Sequence, residues 1–289
     1  MALDVLALRG LGLGDLLTAV PALRALRRAF PARRLVLAGP PALAPLLPVD
    51  EVIEVRGPGP VPYDGAEVAV NLHGRGPQST RALRATRPGL LLTHGGDGPP
   101  WRADVHEVRR WCDLLEWYGI AADPADLYLG RGDRSGPVVV HPGAGAPSRR
   151  WPADRFAAVV AALRARGRQV VVTGSPAERE LAERVAVDTG ATVAAGRTDV
   201  RRLARLVRDA RLVVCGDTGV GHLATAYRTP SVLLFGPVAP ALWGPPAAGP
   251  HVVLWKGGTG DPHGREPDAG LLEIGVDEVI EVMARCESW

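Results

Sequence analysis

In the stretch GDTGVGH, residues 216–222, Asp217, Thr218 and Gly219 stand between an apolar run and a helical pattern, with His222 one turn further on. The first N–H groups of a helix have no partner within it, and the helix dipole makes that end positive. A phosphate there would gain backbone hydrogen bonds and the Thr218 hydroxyl. The competing reading is an ordinary Asp/Thr cap with a histidine nearby. A second stretch, HPGAGAPSRRWP at residues 141–152, sets small residues beside Arg149 and Arg150. Guanidinium pairs bidentately with phosphate oxygens, so this loop suits a diphosphate, the alternative being two solvated arginines. A third, RGLGLGD at residues 9–15, follows the first apolar run. Its glycines, Gly12 and Gly14 among them, let backbone approach a ligand closely and set Asp15 at a helix start, where a simple cap is the alternative. In GSPAERE, Glu178 opens another helix after a strand, either stabilising its first turn or offering a carboxylate to ribose hydroxyls.

Several chemistries are excluded. A G-x-G-x-x-G fingerprint fails in both registers, its third position falling on Asp15 or on Leu17, and no G-K-[ST] occurs. That argues against a Rossmann dehydrogenase. D-x-D, H-E-x-x-H and G-x-S-x-G are also missing, so no metal and no cofactor are expected. If a diphosphate leaves here, its charge must be met by helix N-termini and arginine, donors fixed in advance of the reaction.

Elements that place these loops are legible as short apolar runs alternating with amphipathic ones, the pattern of βα units on parallel sheets. In the first half strands are expected at residues 3–8, 34–38, 52–55, 67–71 and 90–93, with helices at 15–30, 78–86 and 105–118. Pro21 inside the first of these predicts a kink or a later start. The second half repeats the pattern with strands at 138–141, 169–173, 192–194, 212–215, 231–235 and 252–255. Its clearest helix spans residues 154–166: Phe156, Val159, Val160 and Leu163 share one face, Asp154 caps the start and Gly167 ends it. GRGDRSGP, residues 130–137, reads as a linker and hinge. The expected organisation is an N-terminal domain at 1–132, a second domain at 137–270, and a C-terminal helix at 271–289 that could pack back on the first. Two such α/β domains would face each other across a cleft, with ligands at the carboxyl ends of strands.

The 289 residues carry a net charge of +3, too little to call for nucleic acid, and every cationic side chain but Lys256 is arginine. That bias makes a solvated face the default reading of Arg75, Arg81, Arg84 and Arg87. Cys112, Cys215 and Cys286 lack metal-ligand spacing and fit a reducing cytoplasm. No apolar run reaches the ~18–20 residues of a membrane span, and the N-terminal stretch lacks a signal-peptide pattern. Membrane contact is expected to be peripheral at most.

Taken together, LRGLGLGDLLTAVPALRALRRAFP, NLHGRGPQS, VVVHPGAGAPSRRWPADRF and LVVCGDTGVGHLATAYRTPSVLLFGPVAPALWGPP resemble glycosyltransferase family 9, the ADP-heptose:lipopolysaccharide heptosyltransferases. The resemblance implies a GT-B fold and metal-independent, inverting transfer of a sugar from a nucleotide-diphospho-sugar to an acceptor hydroxyl. It implies Asp15 as general base, Arg149, Thr218 and Gly219 on the donor diphosphate, Asp217 and His222 in the donor pocket, and Glu178 on the ribose. Arg149 stands where the family has lysine in K-x-W-P, so the contact could fall to Arg149 or to Arg150. ADP-heptose is the expected donor and a glycan or small molecule the acceptor, with a monomeric cytoplasmic enzyme as the setting. A sugar-nucleotide epimerase of the same fold and a non-catalytic nucleotide-sugar-binding partner are the rival readings.

Overall fold

The computed structural model describes residues 2–286 and divides the chain into two compact units, Met1–Leu127 and Tyr128–Trp289. Met1 and residues 287–289, which fall within the expected terminal segments, lie outside the described residues.

The first unit holds strands β1 (Ala2–Leu8), β2 (Arg34–Gly39), β3 (Glu51–Glu54), β4 (Ala66–Asn71) and β5 (Leu90–Leu92), and helices α1 (Leu13–Thr18), α2 (Val20–Ala29), α3 (Gln78–Ala85) and α4 (Glu107–Trp117). Its sheet runs β3-β2-β1-β4-β5 and all pairings are parallel. Central β1 is apolar on both faces because helices cover both: Val5 and Ala7 join one core cluster, Leu6 and Leu8 another. The single helix expected at residues 15–30 is two. The chain breaks at Ala19, and Pro21 sits in the first turn of α2, where its missing N–H costs no hydrogen bond.

The second unit holds β6 (Val138–His141), β7 (Val170–Val172), β8 (Thr192–Val193), β9 (Leu212–Gly216), β10 (Ser231–Leu234) and β11 (His251–Leu254). Its helices are α5 (Ala153–Ala165), α6 (Arg179–Ala186), α7 (Val200–Asp209), α8 (Gly219–Ala226), α9 (Pro240–Trp243), α10 (Ala269–Leu272) and α11 (Val276–Cys286). This sheet is also parallel, ordered β11-β10-β9-β6-β7-β8. Phe156, Val159, Val160 and Leu163 of α5 are buried as their spacing predicts. Asp154 is not the cap: Pro152 holds that position without a side-chain bond, and Asp154 lies in the first turn, where the dipole favours it. Gly167 follows the helix with φ +73°, the left-handed conformation that glycine adopts most easily.

Two further segments make contacts within the second unit. The 130–137 stretch is bound into the second unit, Arg134 Nη2 donating to Arg228 O at 3.2 Å and Gly136 N–H to Asp209 O at 2.8 Å. Val279, Val282, Met283 and Cys286 of α11 share a core cluster with Val138, Val140, Val232 and Leu234, so the last helix is part of the second unit's core.

Candidate functional site

In each sheet the strand order reverses beside one strand, and in open α/β sheets ligands bind at the carboxyl ends of the strands flanking that switch. In the second unit the switch lies between β6 and β9. The loop after β6 carries Arg149 at the end of a 3-10 turn, Pro147–Arg149. Its guanidinium lies over the backbone of Gly145, reaches Asp217 Oδ2 at 3.7 Å from Nη1, and keeps a buried Nε with no hydrogen-bond partner. Arg150 points to other work: its Nε and Nη2 donate to Ala144 O at 3.2 and 3.0 Å and close the loop. The turn is fixed from outside by Ser148, whose N–H donates to Gly264 O at 3.2 Å and whose carbonyl accepts from Asp268 N–H at 3.1 Å.

After β9, Thr218 occupies the N-cap position of α8 in extended conformation, yet its side chain makes no capping bond. The hydroxyl is buried without a partner. A capping threonine would have bonded the N–H of the second or third helical residue, so ordinary capping does not account for this hydroxyl. Asp217, 8% exposed, precedes it, and its N–H donates to Leu234 O at 3.1 Å. His222 stacks edge-on against Trp243 of α9 at 5.9 Å between ring centroids. Asp217, Thr218, His222, Phe235, Trp243 and Pro245 line a recess beside the start of α8.

Glu178 ends a 3-10 turn that opens α6, and its Oε2 accepts the Ser175 N–H at 2.8 Å in a capping box. The carboxylate also lies against Gly143 of the β6 loop, where any Cβ would collide with it. So Glu178 both caps its helix and adjoins the loop that carries Arg149. Beneath it, His141 Nδ1 meets Thr173 Oγ1 at 3.0 Å, and burial pushes the imidazole below its ordinary pKa.

In the first unit the switch lies between β1 and β4. Gly10 packs so closely on Gly57 that a Cβ would lie 2.7 Å from the Gly57 oxygen. Gly12 takes the N-cap position of α1, Gly14 lies within that helix, and Asp15 sits in its first turn. The cap reading of Asp15 is thereby corrected. Behind it stands a residue that the motifs did not single out. Arg9 is 0% exposed, and its Nε donates to Asp15 O at 2.5 Å. Its Nη2 donates to Thr18 Oγ1 at 3.2 Å and Glu107 Oε1 at 2.9 Å, and lies 3.7 Å from Asp15 Oδ1. Nη1 donates to Leu72 O, and the guanidinium lies 4.8 Å from the Trp111 ring centroid. A buried cation needs such compensation. Burial alone would raise the Glu107 carboxyl; the charges and hydrogen bonds of Arg9 and Arg110 outweigh it and hold Glu107 below its ordinary pKa. The one available signal for Arg9 was a charge directly after an apolar strand.

Among the described residues no three His, Cys, Asp or Glu side chains gather as a metal site, and no helix is long and apolar enough to cross a membrane.

Comparison with known proteins bears on this arrangement. Residues 120–261 match the model of glycosyltransferase family 9 (heptosyltransferase), so the resemblance drawn from the motifs holds. Lipopolysaccharide heptosyltransferase 3 of Escherichia coli (strain K12) is 35% identical over 113 residues, which are 37% of this chain and 33% of that protein. The chain thus matches about a third of the length of such curated relatives. The solved glycosyl transferase family 9 structure from Veillonella parvula DSM 2008 aligns over 100% of this chain and 99% of that one, with TM-score 0.80 and 20% identity. E. coli ADP-heptose lps heptosyltransferase II aligns over 99% and 98%, with TM-score 0.77 and 19% identity. At such identities the likeness shows the fold, two parallel-sheet α/β domains of the GT-B type.

Proposed function

We propose that this chain, similar to glycosyltransferase family 9 through residues 120–261, is a glycosyltransferase that moves heptose from ADP-heptose to an acceptor hydroxyl. The observation that carries the reading is the pair of buried, unpartnered donors, Thr218 Oγ1 and Arg149 Nε, beside the N-terminus of α8. A leaving diphosphate would satisfy both and meet the positive end of the helix. In the proposed reaction the acceptor oxygen loses its proton to Asp15 as it attacks the anomeric carbon. The bond to the diphosphate oxygen breaks with inversion, and ADP leaves with its charge held by Arg149, Thr218 and the Gly219 N–H. Asp217 and His222 face the donor sugar and Glu178 the ribose. No metal takes part in this scheme. The acceptor is a glycan or small molecule, and the protein acts in the cytoplasm as a monomer.

Thermal stabilisation tests the donor site, because a ligand bound only by the folded state raises Tm as it saturates. ADP and ADP-sugars are expected to stabilise the protein more than UDP, GDP or NAD. A flat response across the panel would remove the donor assignment, and stabilisation without any transfer would leave an inert binding protein.

A further inference from the structure

The motif NLHG, absorbed by none of the roles above, forms a rigid corner at the end of β4. Asn71 is buried, its Oδ1 accepting the His73 N–H at 3.1 Å and its Nδ2 donating to Gly74 O at 3.2 Å. The same amide group meets the hydroxyls of Ser79 at 3.1 Å and Thr93 at 3.1 Å. His73 is thus bracketed by one side chain on both sides. Its ring is fixed as well, Nδ1 lying 3.2 Å from the Gly10 N–H, which donates to it. A ring nitrogen that accepts a hydrogen bond carries no proton, so the neutral imidazole holds its proton on Nε2. Burial and the Arg9 charge both oppose protonation, with Asp15 the one facing group that favours it, and the net effect is a lowered pKa. Nε2 has no hydrogen-bond partner among the described residues, and the side chain is half-buried rather than enclosed.

We infer that His73 is an acceptor-binding residue, its Nε2–H donating a hydrogen bond to an oxygen of a hydroxylated acceptor beside the hydroxyl that reacts. The inference rests on the transferase reading. Its support is placement: His73 follows β4 and Asp15 follows β1, the two strands that flank the switch of the first sheet. A neutral donor suits this position. It holds an oxygen without competing for the proton that Asp15 takes, and it leaves the Asp15 carboxylate free of an imidazolium partner.

Two substitutions separate binding from bracing. His73→Asn keeps an acceptor for the Gly10 N–H near the Nδ1 position and lacks the Nε2 donor. His73→Gln places an amide donor near the Nε2 position and lacks the Nδ1 acceptor. With ADP-heptose and heptose-deficient lipopolysaccharide, His73→Asn should raise the acceptor KM about tenfold, the worth of one neutral hydrogen bond. The Tm shift produced by ADP should stay as in wild type, and His73→Gln should retain most of the acceptor affinity. The opposite order, or equal behaviour of the two variants, would make His73 a brace for Gly10 and overturn the assignment. Histidine ¹⁵N NMR of the full chain, with His73→Asn identifying the signal, should show a neutral Nε2-protonated ring at pH 7. A cationic or Nδ1-protonated ring overturns the assignment whatever the transfer assay gives. Wild-type protein that binds ADP and transfers no heptose would remove the transferase reading and this inference with it. An active wild type with an unimpaired His73→Asn removes the inference alone.

Discussion

Asp15→Asn isolates the proposed base with little disturbance elsewhere. The change keeps side-chain volume, and the backbone contact that seats the residue, Arg9 Nε to Asp15 O at 2.5 Å, is independent of the carboxylate. Arg9 also retains Glu107, Thr18 and the Leu72 carbonyl. What is lost is one 3.7 Å ion pair with a carboxylate whose side chain is 32% exposed, a contribution of about 1 kcal/mol or less. Tm should therefore move little. Removing a positioned base costs about 10²–10⁴ in rate, which is roughly 2.7–5.4 kcal/mol of transition-state stabilisation. The assay is initial-rate transfer from ADP-heptose at saturating donor, with ADP affinity measured separately by thermal shift. The expected result is a kcat reduced within that range and an ADP response equal to wild type, since the proposed donor groups belong to the other unit. Full activity in the variant would remove Asp15 from the chemistry, and an equal loss of ADP affinity would mean that the substitution acts through the fold.

Four other substitutions have distinct expected outcomes. Arg149→Ala should weaken ADP binding about 10- to 100-fold, the range for one charge-assisted hydrogen bond. Arg150→Ala, whose guanidinium braces Ala144, should lower Tm while leaving ADP affinity within a few-fold of wild type; isothermal titration and melting curves on both variants check this. Glu107→Gln leaves the buried Arg9 without its strongest counter-charge, so first-unit stability at pH 7 should drop by about 3 kcal/mol in denaturant titration. Because the folded-state pKa of Glu107 is lowered, its contribution is present above the ordinary carboxyl value of 4.5 and fades as pH falls below that; the wild-type midpoint should decline there more steeply than the variant's. Trp151→Ala should cost about 3–5 kcal/mol in the second unit, since the ring is 2% exposed, packs edge-on against Phe156 at 5.0 Å and donates to Ile274 O at 3.0 Å; a midpoint within error of wild type would contradict this account of the core.

Strand positions were readable because parallel strands covered on both faces are plain apolar runs, as VVVH at 138–141 and LVVCG at 212–216 illustrate. The glycine-rich corners that follow them were readable too, since glycine and a polar residue mark a strand end. Pattern failed where the outcome depended on partners far along the chain. Whether Arg149 or Arg150 turns toward Asp217 is decided by Ala144 and by the 264–268 segment, neither of which leaves a mark on two adjacent arginines. Arg9 is a core residue because Glu107, a residue of α4, and oxygens of Asp15, Thr18 and Leu72 lie beside it. His73 gained meaning from Gly10, 63 residues earlier. The cap expected at Asp154 and the cap alternative for Asp15 fail for a related reason: both residues have the chemistry of a cap, but backbone geometry puts each inside the first turn instead.

The clasp on Ser148 has a consequence for biogenesis. The turn that presents Arg149 is held by Gly264 and Asp268, and nearby Trp151 and Arg155 are held by the carbonyls of Leu272 and Ile274. On a ribosome adding roughly 5–20 residues per second, that turn is made several seconds before the residues that fasten it. The first unit, with its own sheet and cores, has everything it needs by Leu127. The nascent chain would therefore carry a finished Asp15 corner well before its Arg149 turn is set, and that turn would stay unfastened until residues 264–274 have been added.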